Sequence, residues 1–571
     1  MTLRARQLAW QAAPRLLAAG LLLVPASMAP RWLQLWGATA LVAAAGCVGW
    51  WLAGRLLRRL PALDRALAAA VLGVAVCWLI GLALGQAGAL HGDAFRLVLA
   101  LLCLGSVRAT PHARSRTPQI GADVAGQSGV PVGGWRDRRR LARMEAALLV
   151  GVLAIAAGAL VGALRQQRFA PPGRFSYDDT SYHLTTVATW AQRHDLSMPR
   201  FSYGDPRTAF YPFAAELAAW IATAPFAGGD FAARWVELPF ALLTLFAAAL
   251  VARRLGARGA TPLLAPLLYL TVPNAFPDLA LSAGNDHAVA FGVLATAHAG
   301  LLLARRRSVG RALYAGTALG LLLAIKLVGL LYAPALAVLL VLAAVTAPRP
   351  RCARWRRAAG VLAVAAGAAL LVGGYAYLRN AVTAGNPLFP VPLRIGKLAL
   401  PGWKEFALGG VMAAEPGFTP TTFPWTQTLL LGPLWRWTML PAALLAPWLA
   451  LALARRRRLV SAWLLALPLT FYGIFVELME DHRGIRYLFA AVALAAVGAA
   501  WLVGRLPLPA RAVATAIIGG AAVLPWLQRR PSWVGVLLAV LLAGAWLAQA
   551  GRVAWWRGRA SAAAGRLAVA V

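Results

Sequence analysis

Charged residues are scarce in this chain of 571 residues, at 13% of the total, about half the usual share of a soluble domain. Hydrophobic residues take their place and reach 60%. Acidic residues are the scarcest, with 19 against 56 basic ones and a net charge of +37. A soluble α/β domain is excluded, because the chain lacks the polar residues that would cover its surface.

Other patterns are missing as well. The four cysteines have no CxxC spacing and three lie in apolar runs, which argues against disulfides and zinc thiolates. The basic residues form no continuous stripe with interleaved aromatics, so nucleic acid is not expected as a partner. Alternating ten-residue segments, which would indicate a membrane barrel, do not occur. Short arginine clusters between apolar runs are instead typical of a multispan membrane protein.

The chain does contain a long series of apolar runs. Runs of about 18 or more apolar residues indicate membrane spans, and backbone in lipid must satisfy its own hydrogen bonds, so the spans are helices. We therefore predict an all-α, polytopic transmembrane helical bundle of about 15–16 helices. The apolar segments are 16–29, 33–54, 66–85, 94–107, 145–164, 231–252, 261–276, 284–304, 310–324, 327–346, 358–378, 429–454, 459–476, 485–503, 510–527 and 533–550.

The placement of arginine orients the predicted bundle, because short loops rich in Lys and Arg mark the cytoplasmic side. These clusters lie at 253–258, 305–311, 349–357 and 455–458. Two long loops, 165–230 and 379–427, then face the non-cytoplasmic side. Amphipathic stretches at 184–196 and 213–224 predict short interfacial helices in the first loop.

The polar segments divide the chain into four parts. Residues 1–107 form a predicted N-terminal transmembrane helical unit, whose first helix is either a signal-like segment or a short span. Residues 108–143 form a basic cytoplasmic linker rich in Gly and Pro. Residues 144–504 carry both long loops and form the main core, and residues 505–571 add a C-terminal hairpin and a basic tail.

Most acidic residues fall on the non-cytoplasmic side, and topology does not explain this because acids hardly affect orientation. The densest group pairs Asp178 with Asp179 just before Tyr182 and His183. Paired carboxylates perturb each other's pKa, so one of them can act as a base near neutral pH. In a helix starting here, Asp179 would face His183 and Asp178 would face Tyr182. The alternative is an acidic helix start that only complements the helix dipole.

Two further groups lie on the same side. Asp286 opens an apolar run next to a histidine, and it either caps a helix or is a functional acid at the membrane surface. Residues 477–487 collect acids and arginines between two spans, either as a self-neutralising turn or as a phosphate site. The candidate residues of this group are Asp481, His482, Arg483, Arg486 and Tyr487.

Cations stand at the same membrane boundary. Lys326 interrupts an apolar run, so it either faces a cavity or extends to the surface. Arg379 and Asn380 open the second long loop, ahead of a turn at Gly385 and Pro387. Asp–His neighbours at 179/183, 286/287 and 481/482 would suit a divalent metal, although no metal-binding motif supports one and no other cofactor is indicated.

These segments, in this order, resemble the C-type glycosyltransferases, multispan enzymes that use polyprenyl-phosphate sugars. The resemblance covers residues 145–503 and is greatest to the bacterial branch related to protein O-mannosyltransferases and lipid A aminoarabinose transferases. The matching segments are the acidic pair with Tyr182 and His183, Trp190, Tyr211-Pro212, Gly284–His287, Ala324–Gly329, Arg379–Pro390 and Arg486–Leu488.

The resemblance implies transfer of a sugar from a polyprenyl-phosphate donor to a glycan, lipid or protein acceptor of the cell envelope. The reaction would be a direct, carboxylate-assisted displacement on the periplasmic or extracellular face of the bacterial inner membrane. The catalytic acids would be Asp178 first, then Asp179 and Asp286, and Lys326 would help to hold the lipid phosphate. The substrate-binding set would be Tyr182, His183, Lys326, Arg379, Asn380, Asp481, His482, Arg483, Arg486 and Tyr487.

The chain departs from this family in having Asp179 where Glu is common, an extra N-terminal helical unit and no clear soluble C-terminal domain. The last two leave the acceptor open. Two other functions stay as alternatives. A lipid-linked glycan flippase or other transporter would need charges inside several spans and inverted repeats, whereas the charges here gather in loops. In a non-catalytic membrane scaffold, the acids would serve only as helix caps.

Overall fold

The structure is a computed structural model, and it describes residues 13–17, 19, 31–108, 178–199, 206–224, 230–270, 272, 282–346, 354–395, 397–403, 442–445, 458–478, 485–506, 511 and 514–515. These residues are 81% helical with almost no strand, which confirms the all-α class of the predicted bundle. Several predicted segments lie outside the described residues: the spans 145–164 and 533–550, the linker, and nearly all of 16–29, 429–454 and 510–527.

The helices are α1 (Arg31–Leu56), α2 (Ala62–Gln86), α3 (Gly92–Arg108), α4 (Leu184–Arg193), α5 (Ala214–Thr223), α6 (Glu237–Leu255), α7 (Leu264–Leu270), α8 (Asp286–Arg305), α9 (Val309–Ile325), α10 (Gly329–Thr346), α11 (Arg354–Gly373), α12 (Tyr375–Ala384), α13 (Leu459–Leu478) and α14 (Phe489–Val503). A π-helical turn, Asp179–His183, leads into α4. Short 3-10 turns span Pro206–Phe210, Asp230–Trp235, Thr261–Leu263 and Ile485–Leu488.

Among the described residues, six helices are long and apolar enough to cross a membrane: α1 from Thr39, α2, α6, α8, α10 and α11 from Trp355. Helices α9 and α14 are apolar but shorter. Helix α8 is the most enclosed of the six, because 94% of its apolar segment is buried. The other helices therefore pack around it. The membrane protein predicted from composition is therefore confirmed in outline.

Contacts at the helix ends sort the bundle into two ends. At one end, Arg254 of α6 binds Asp64 of α2, and Arg305 of α8 donates to the carbonyl of Arg254 at 3.2 Å. We call this the arginine end. At the other, the loop end, Gln86 Nε2 of α2 donates to Tyr375 Oη of α12 at 2.6 Å.

Close helix crossings depend on small residues. Helices α9 and α11 approach so closely that a Cβ added at Gly316 would lie 2.0 Å from the Ala365 carbonyl oxygen. One turn further along α9, a Cβ at Gly320 would lie 2.8 Å from the Ala369 carbonyl oxygen. Because lipid supplies no hydrophobic drive between helices, such close backbone contact is a main source of their association.

The first long loop packs under the N-terminal helices. The backbone N–H of Leu90 donates to the carbonyl of His194 at 2.8 Å, and the two rings of His91 and His194 stack with centroids 3.9 Å apart. Added Cβ atoms at Gly81 and Gly85 of α2 would meet Leu217 and Leu196 of the loop at 2.7 and 2.2 Å.

The two short helices predicted in this loop are present as α4 and α5. Helix α5 is more enclosed than a helix lying on a membrane surface would be, because Leu217, Ala219 and Trp220 are fully buried. The loop is therefore a packed part of the bundle.

The second long loop starts with α12 and a small sheet. Helix α12 ends at Ala384, and Gly385 follows with a φ of +68°, a left-handed conformation that glycine adopts without strain. The predicted turn is thus present. An antiparallel hairpin then pairs β1 (Leu393–Ile395) with β2 (Leu398–Leu400), with Arg394 opposite Ala399. This hairpin was not predicted, because its strands are only three residues each.

Candidate functional site

Asp179 ties the first long loop to the start of α8. It lies in the π-helical turn and is 2% exposed. Its Oδ1 accepts a hydrogen bond from the backbone N–H of Ala283 at 3.1 Å, across 104 positions of sequence. Single π-helical turns inside helices are frequent at functional sites, because they re-aim side chains. Asp178, which we had ranked first, is only half-buried at the start of this turn.

Asp286 and Lys326 form a buried ion pair at the loop end. Asp286 is the first residue of α8, and Lys326 follows α9 in the tight turn to α10. Lys326 Nζ lies 2.7 Å from Asp286 Oδ1, and both residues are 6% exposed. The lysine therefore faces the interior, and the acid pairs with it instead of acting only as a cap.

Tyr487 completes the surroundings of the lysine. The Lys326 ammonium lies 4.8 Å from the centroid of the Tyr487 ring, within the range of a cation–π interaction. Tyr332 Oη of α10 donates to the backbone carbonyl of Tyr487. Four predicted site residues, Asp179, Asp286, Lys326 and Tyr487, are thus gathered around the N-terminus of α8.

Glu237 also lies at the N-terminus of α8, although it was not among the residues predicted from the sequence. It is the first residue of α6, is 1% exposed, and its Oε2 accepts from the backbone N–H of His287 at 2.9 Å. The charges of Asp286, Lys326 and Asp179 all act on its carboxyl group. Glu237 lies inside a run that we assigned as a span, and an acid at such a position is itself a signal of function.

We call Asp179, Glu237, Asp286 and Lys326 the acidic cluster. Among the described residues, this cluster places three carboxyl groups and one ammonium close together, and all four groups are nearly excluded from solvent. A buried charge is costly unless it is paired, and the Asp286–Lys326 ion pair meets this requirement for both of its members.

Histidines flank the cluster. His287 Nδ1 is 3.0 Å from Tyr269 Oη, and its ring packs on Phe489 with centroids 5.5 Å apart. His183 Nδ1 lies 2.7 Å from Glu216 Oε1 of α5, and both are buried. We had expected His183 to pair with Asp179 one turn away. The π-helical turn changes the spacing of the side chains, and His183 meets Glu216 instead.

Arg379 extends the site through aromatic contacts. The Tyr182 ring is 4.0 Å from that of His183 and 6.5 Å from that of Tyr211, whose carbonyl accepts from Arg379 at 3.4 Å. Burial lowers the pKa of Arg379 to about 10. Within the described residues no carboxylate lies in ion-pair distance of Arg379, and its Nε and Nη2 donate to Oδ1 of Asn380 at 3.3 and 3.1 Å.

Asn380 has a structural task. It is 2% exposed, and its Nδ2 donates to the carbonyls of Phe210 and Phe389 at 2.8 and 2.9 Å. It therefore joins the first long loop to the second and places Arg379 beside it. Both donors of this amide are used, so binding of a substrate through them, as the sequence led us to expect, would break the link between the loops.

The rest of the predicted set cannot be placed in the same way. Asp481, His482 and Arg483 lie outside the described residues, and of Arg486 only the backbone is described. In the part of the chain that the structure describes, no three His, Cys, Asp or Glu residues come close enough to hold a metal ion.

A second buried polar set lies at the arginine end. Asp64 binds Arg254, and its Oδ1 is 2.9 Å from His298 Nε2 of α8. The other ring nitrogen of His298 lies 3.1 Å from Tyr314 Oη of α9. Ionisable groups are therefore not confined to the loops, since Asp64, His298 and Glu237 are buried among helices.

Comparison of the chain with protein-family models, with characterised proteins and with solved structures gave no match.

Proposed function

We propose that this chain is a membrane glycosyltransferase that moves a sugar from a polyprenyl-phosphate donor to a hydroxyl group of an envelope acceptor. The observation that carries the proposal is the acidic cluster. Asp179, Asp286 and Lys326, which are candidates from three separate segments of the sequence, meet at one end of the bundle together with Glu237. This convergence supports the resemblance to C-type glycosyltransferases, because the three segments carry separate motifs of that resemblance.

The chemistry follows from the charges. A carboxylate of the cluster takes the proton of the acceptor hydroxyl, whose oxygen attacks the anomeric carbon. The bond from that carbon to the phosphate oxygen breaks, and polyprenyl phosphate leaves with the electron pair. One displacement inverts the anomeric centre. Asp179 suits the role of the base better than Asp178, because it is buried and belongs to the cluster, while the Asp286 carboxylate is already paired with Lys326.

The leaving phosphate needs positive charge. Arg379 suits this role, since its guanidinium is largely buried without a carboxylate partner among the described residues, and a planar guanidinium can bind phosphate with two hydrogen bonds. Arg483 and Arg486 stay candidates for the same role. In this proposal the arginine end faces the cytoplasm, and the loop end faces the periplasm or cell exterior of a bacterial inner membrane.

A transporter of lipid-linked glycans is a second candidate, favoured by the buried set of Asp64, Arg254 and His298. Ionisable groups inside helices are frequent on transport pathways. The two functions predict different products. Transfer forms a new glycosidic bond, whereas transport only moves an unchanged donor across the membrane.

The test combines chemistry and genetics. The purified protein in lipid nanodiscs is given a labelled polyprenyl-phosphate hexose and envelope extract, and wild type is compared with Asp179→Asn. We expect labelled glycan product from wild type and a loss of about 100-fold or more in the variant. Mass spectrometry of envelope glycans in a deletion strain would identify sugar and acceptor. An equal rate for wild type and Asp179→Asn would contradict the proposed base.

A further inference from the structure

Glu237 stands at an unusual place for a buried acid. As the first residue of α6 it could serve its own helix, yet its Oε2 accepts from the N–H of His287 in the first turn of α8. The residue at the expected capping position of α8, Asn285, makes no side-chain capping bond. Glu237 therefore supplies to α8, from a neighbouring helix, the acceptor that a cap residue normally provides.

Helix α6 makes a second hydrogen bond to the first turn of α8. Thr244, two turns beyond Glu237 on α6, donates to the carbonyl of His287 at 3.1 Å as well as to Phe240 of its own helix at 2.8 Å. The N–H and the C=O of His287 are thus both bound by α6. Asp286, the neighbour of His287, is directed toward Lys326 by a turn that cannot shift without breaking these bonds.

Within the described residues, only one oxygen of the Glu237 carboxyl group has a hydrogen-bond partner. The other oxygen, Oε1, is buried and has no hydrogen-bond partner among the described residues. Oδ1 of Asn285 is also buried and also has no hydrogen-bond partner among them. A glutamine would accept the same bond from His287 without adding a third carboxyl group beside Asp179 and Asp286. Glu237→Gln therefore separates the capping bond from the carboxyl group.

We propose that Glu237 is a positioning residue, which fixes the first turn of α8 and so holds the Asp286–Lys326 pair in register with Asp179. This inference rests on the proposed glycosyl transfer for its catalytic consequence. Its structural half, the fixed turn, can be tested without any activity. Displacing reacting groups by about 1 Å can cost on the order of 100-fold in rate, which sets the size of the expected effect.

The experiment uses the full-length protein in nanodiscs, with Glu237→Ala, Glu237→Gln and the control Thr296→Val. Thr296 lies in α8 and is buried, but it bonds only to Gly292 of its own helix among the described residues. Hydrogen exchange of the peptide around 283–290 is measured first. We expect Glu237→Ala to speed exchange there by at least 10-fold, while Glu237→Gln and Thr296→Val stay within about threefold of wild type.

The rate of sugar transfer is measured second. We expect Glu237→Ala to lower kcat about 100-fold with little change in KM, and Glu237→Gln to restore most of the loss. Unchanged exchange in Glu237→Ala would overturn the positioning role whatever the activity. Equal losses of activity in Glu237→Ala and Glu237→Gln would also overturn the positioning role, because the carboxyl group and not the capping bond would then matter. If wild type transfers no sugar, the proposed function fails, while the exchange result still decides the role of Glu237.

Discussion

At the scale of single residues, Asp178 and Asp179 are neighbours with different surroundings. Asp179 is 2% exposed and bound to the backbone before α8, and Asp178 is half-buried at the start of the turn. We expect Asp179→Asn to lower kcat by about 100-fold or more, within the range of general-base losses, and Asp178→Asn to lower it less. Parallel measurement of both variants in nanodiscs checks this, and a greater loss in Asp178→Asn would restore our first ranking.

Arg379 allows a second prediction at this scale. If it binds the phosphate of the donor, removing its charge weakens donor binding more than it slows chemistry. We expect Arg379→Gln to raise KM for the polyprenyl-phosphate donor about 10- to 100-fold, the equivalent of one or two charge-assisted hydrogen bonds. Arg379→Lys should recover part of the loss only, because an ammonium cannot bind phosphate through two parallel bonds. An unchanged KM in both variants would remove Arg379 from the site.

The sequence singled out several residues that lie together in the structure, but it did not predict their partners. Asp286 opens an apolar run and Lys326 interrupts one, but their pairing depends on the directions of α8 and α9, which no local pattern contains. His183 was assigned to Asp179 by regular helical spacing, and the π-helical turn changed that spacing. Glu237 was hidden because composition alone placed it within a span.

At the scale of helices, the crossing of α9 and α11 depends on glycine. A Cβ at Gly316 would lie 2.0 Å from a backbone oxygen, which cannot rotate away, so the helices must separate. We expect Gly316→Ala to lower the free energy of unfolding by about 1–3 kcal/mol, the usual cost of overpacking.

Gly367 of α11 is the matched control for this change. An added Cβ there meets nothing within 4 Å, and alanine favours helix over glycine by about 0.5–1 kcal/mol. Gly367→Ala should therefore be neutral or slightly stabilising. Thermal unfolding of both variants in detergent measures the difference, and equal Tm values would show that the close crossing contributes no stability.

Helices were predictable where the apolar run in the sequence is long. The apolar runs predicted α2, α8 and α10 to within four residues at each end, because a span needs many apolar residues in a row, whereas α6 begins six residues later than predicted. The hairpin of β1 and β2 was missed because three-residue strands carry no period. The burial of α5 was missed because amphipathicity shows that one side is apolar and does not show what covers it.

At the scale of the whole molecule, Asp64 joins the N-terminal helices to the core. It binds Arg254 of α6 and His298 of α8 from its place on α2. Removing one member of a buried charged set leaves the others unpaired, so we expect Asp64→Ala to destabilise the protein by about 3–5 kcal/mol.

Asp93 provides the comparison for Asp64. Its side chain is 85% exposed and pairs with Arg96 within α3. An exposed ion pair contributes little, so Asp93→Ala should cost less than about 1 kcal/mol. Denaturant unfolding in mixed micelles distinguishes the two. A cost for Asp64→Ala no greater than that for Asp93→Ala would show that the arginine-end set does not hold the two parts together.

The packing of α2 against the first long loop has a consequence for how such a protein can be recombined. Leu217 and Leu196 pack into the space left by the missing side chains of Gly81 and Gly85. Helix α2 and the loop that carries Asp179 therefore form a closely packed interface. A chimera that joins residues 144–571 to the N-terminal helices of another protein would need both sides of this surface exchanged together. Substitutions on one side of this surface should therefore be compensated on the other.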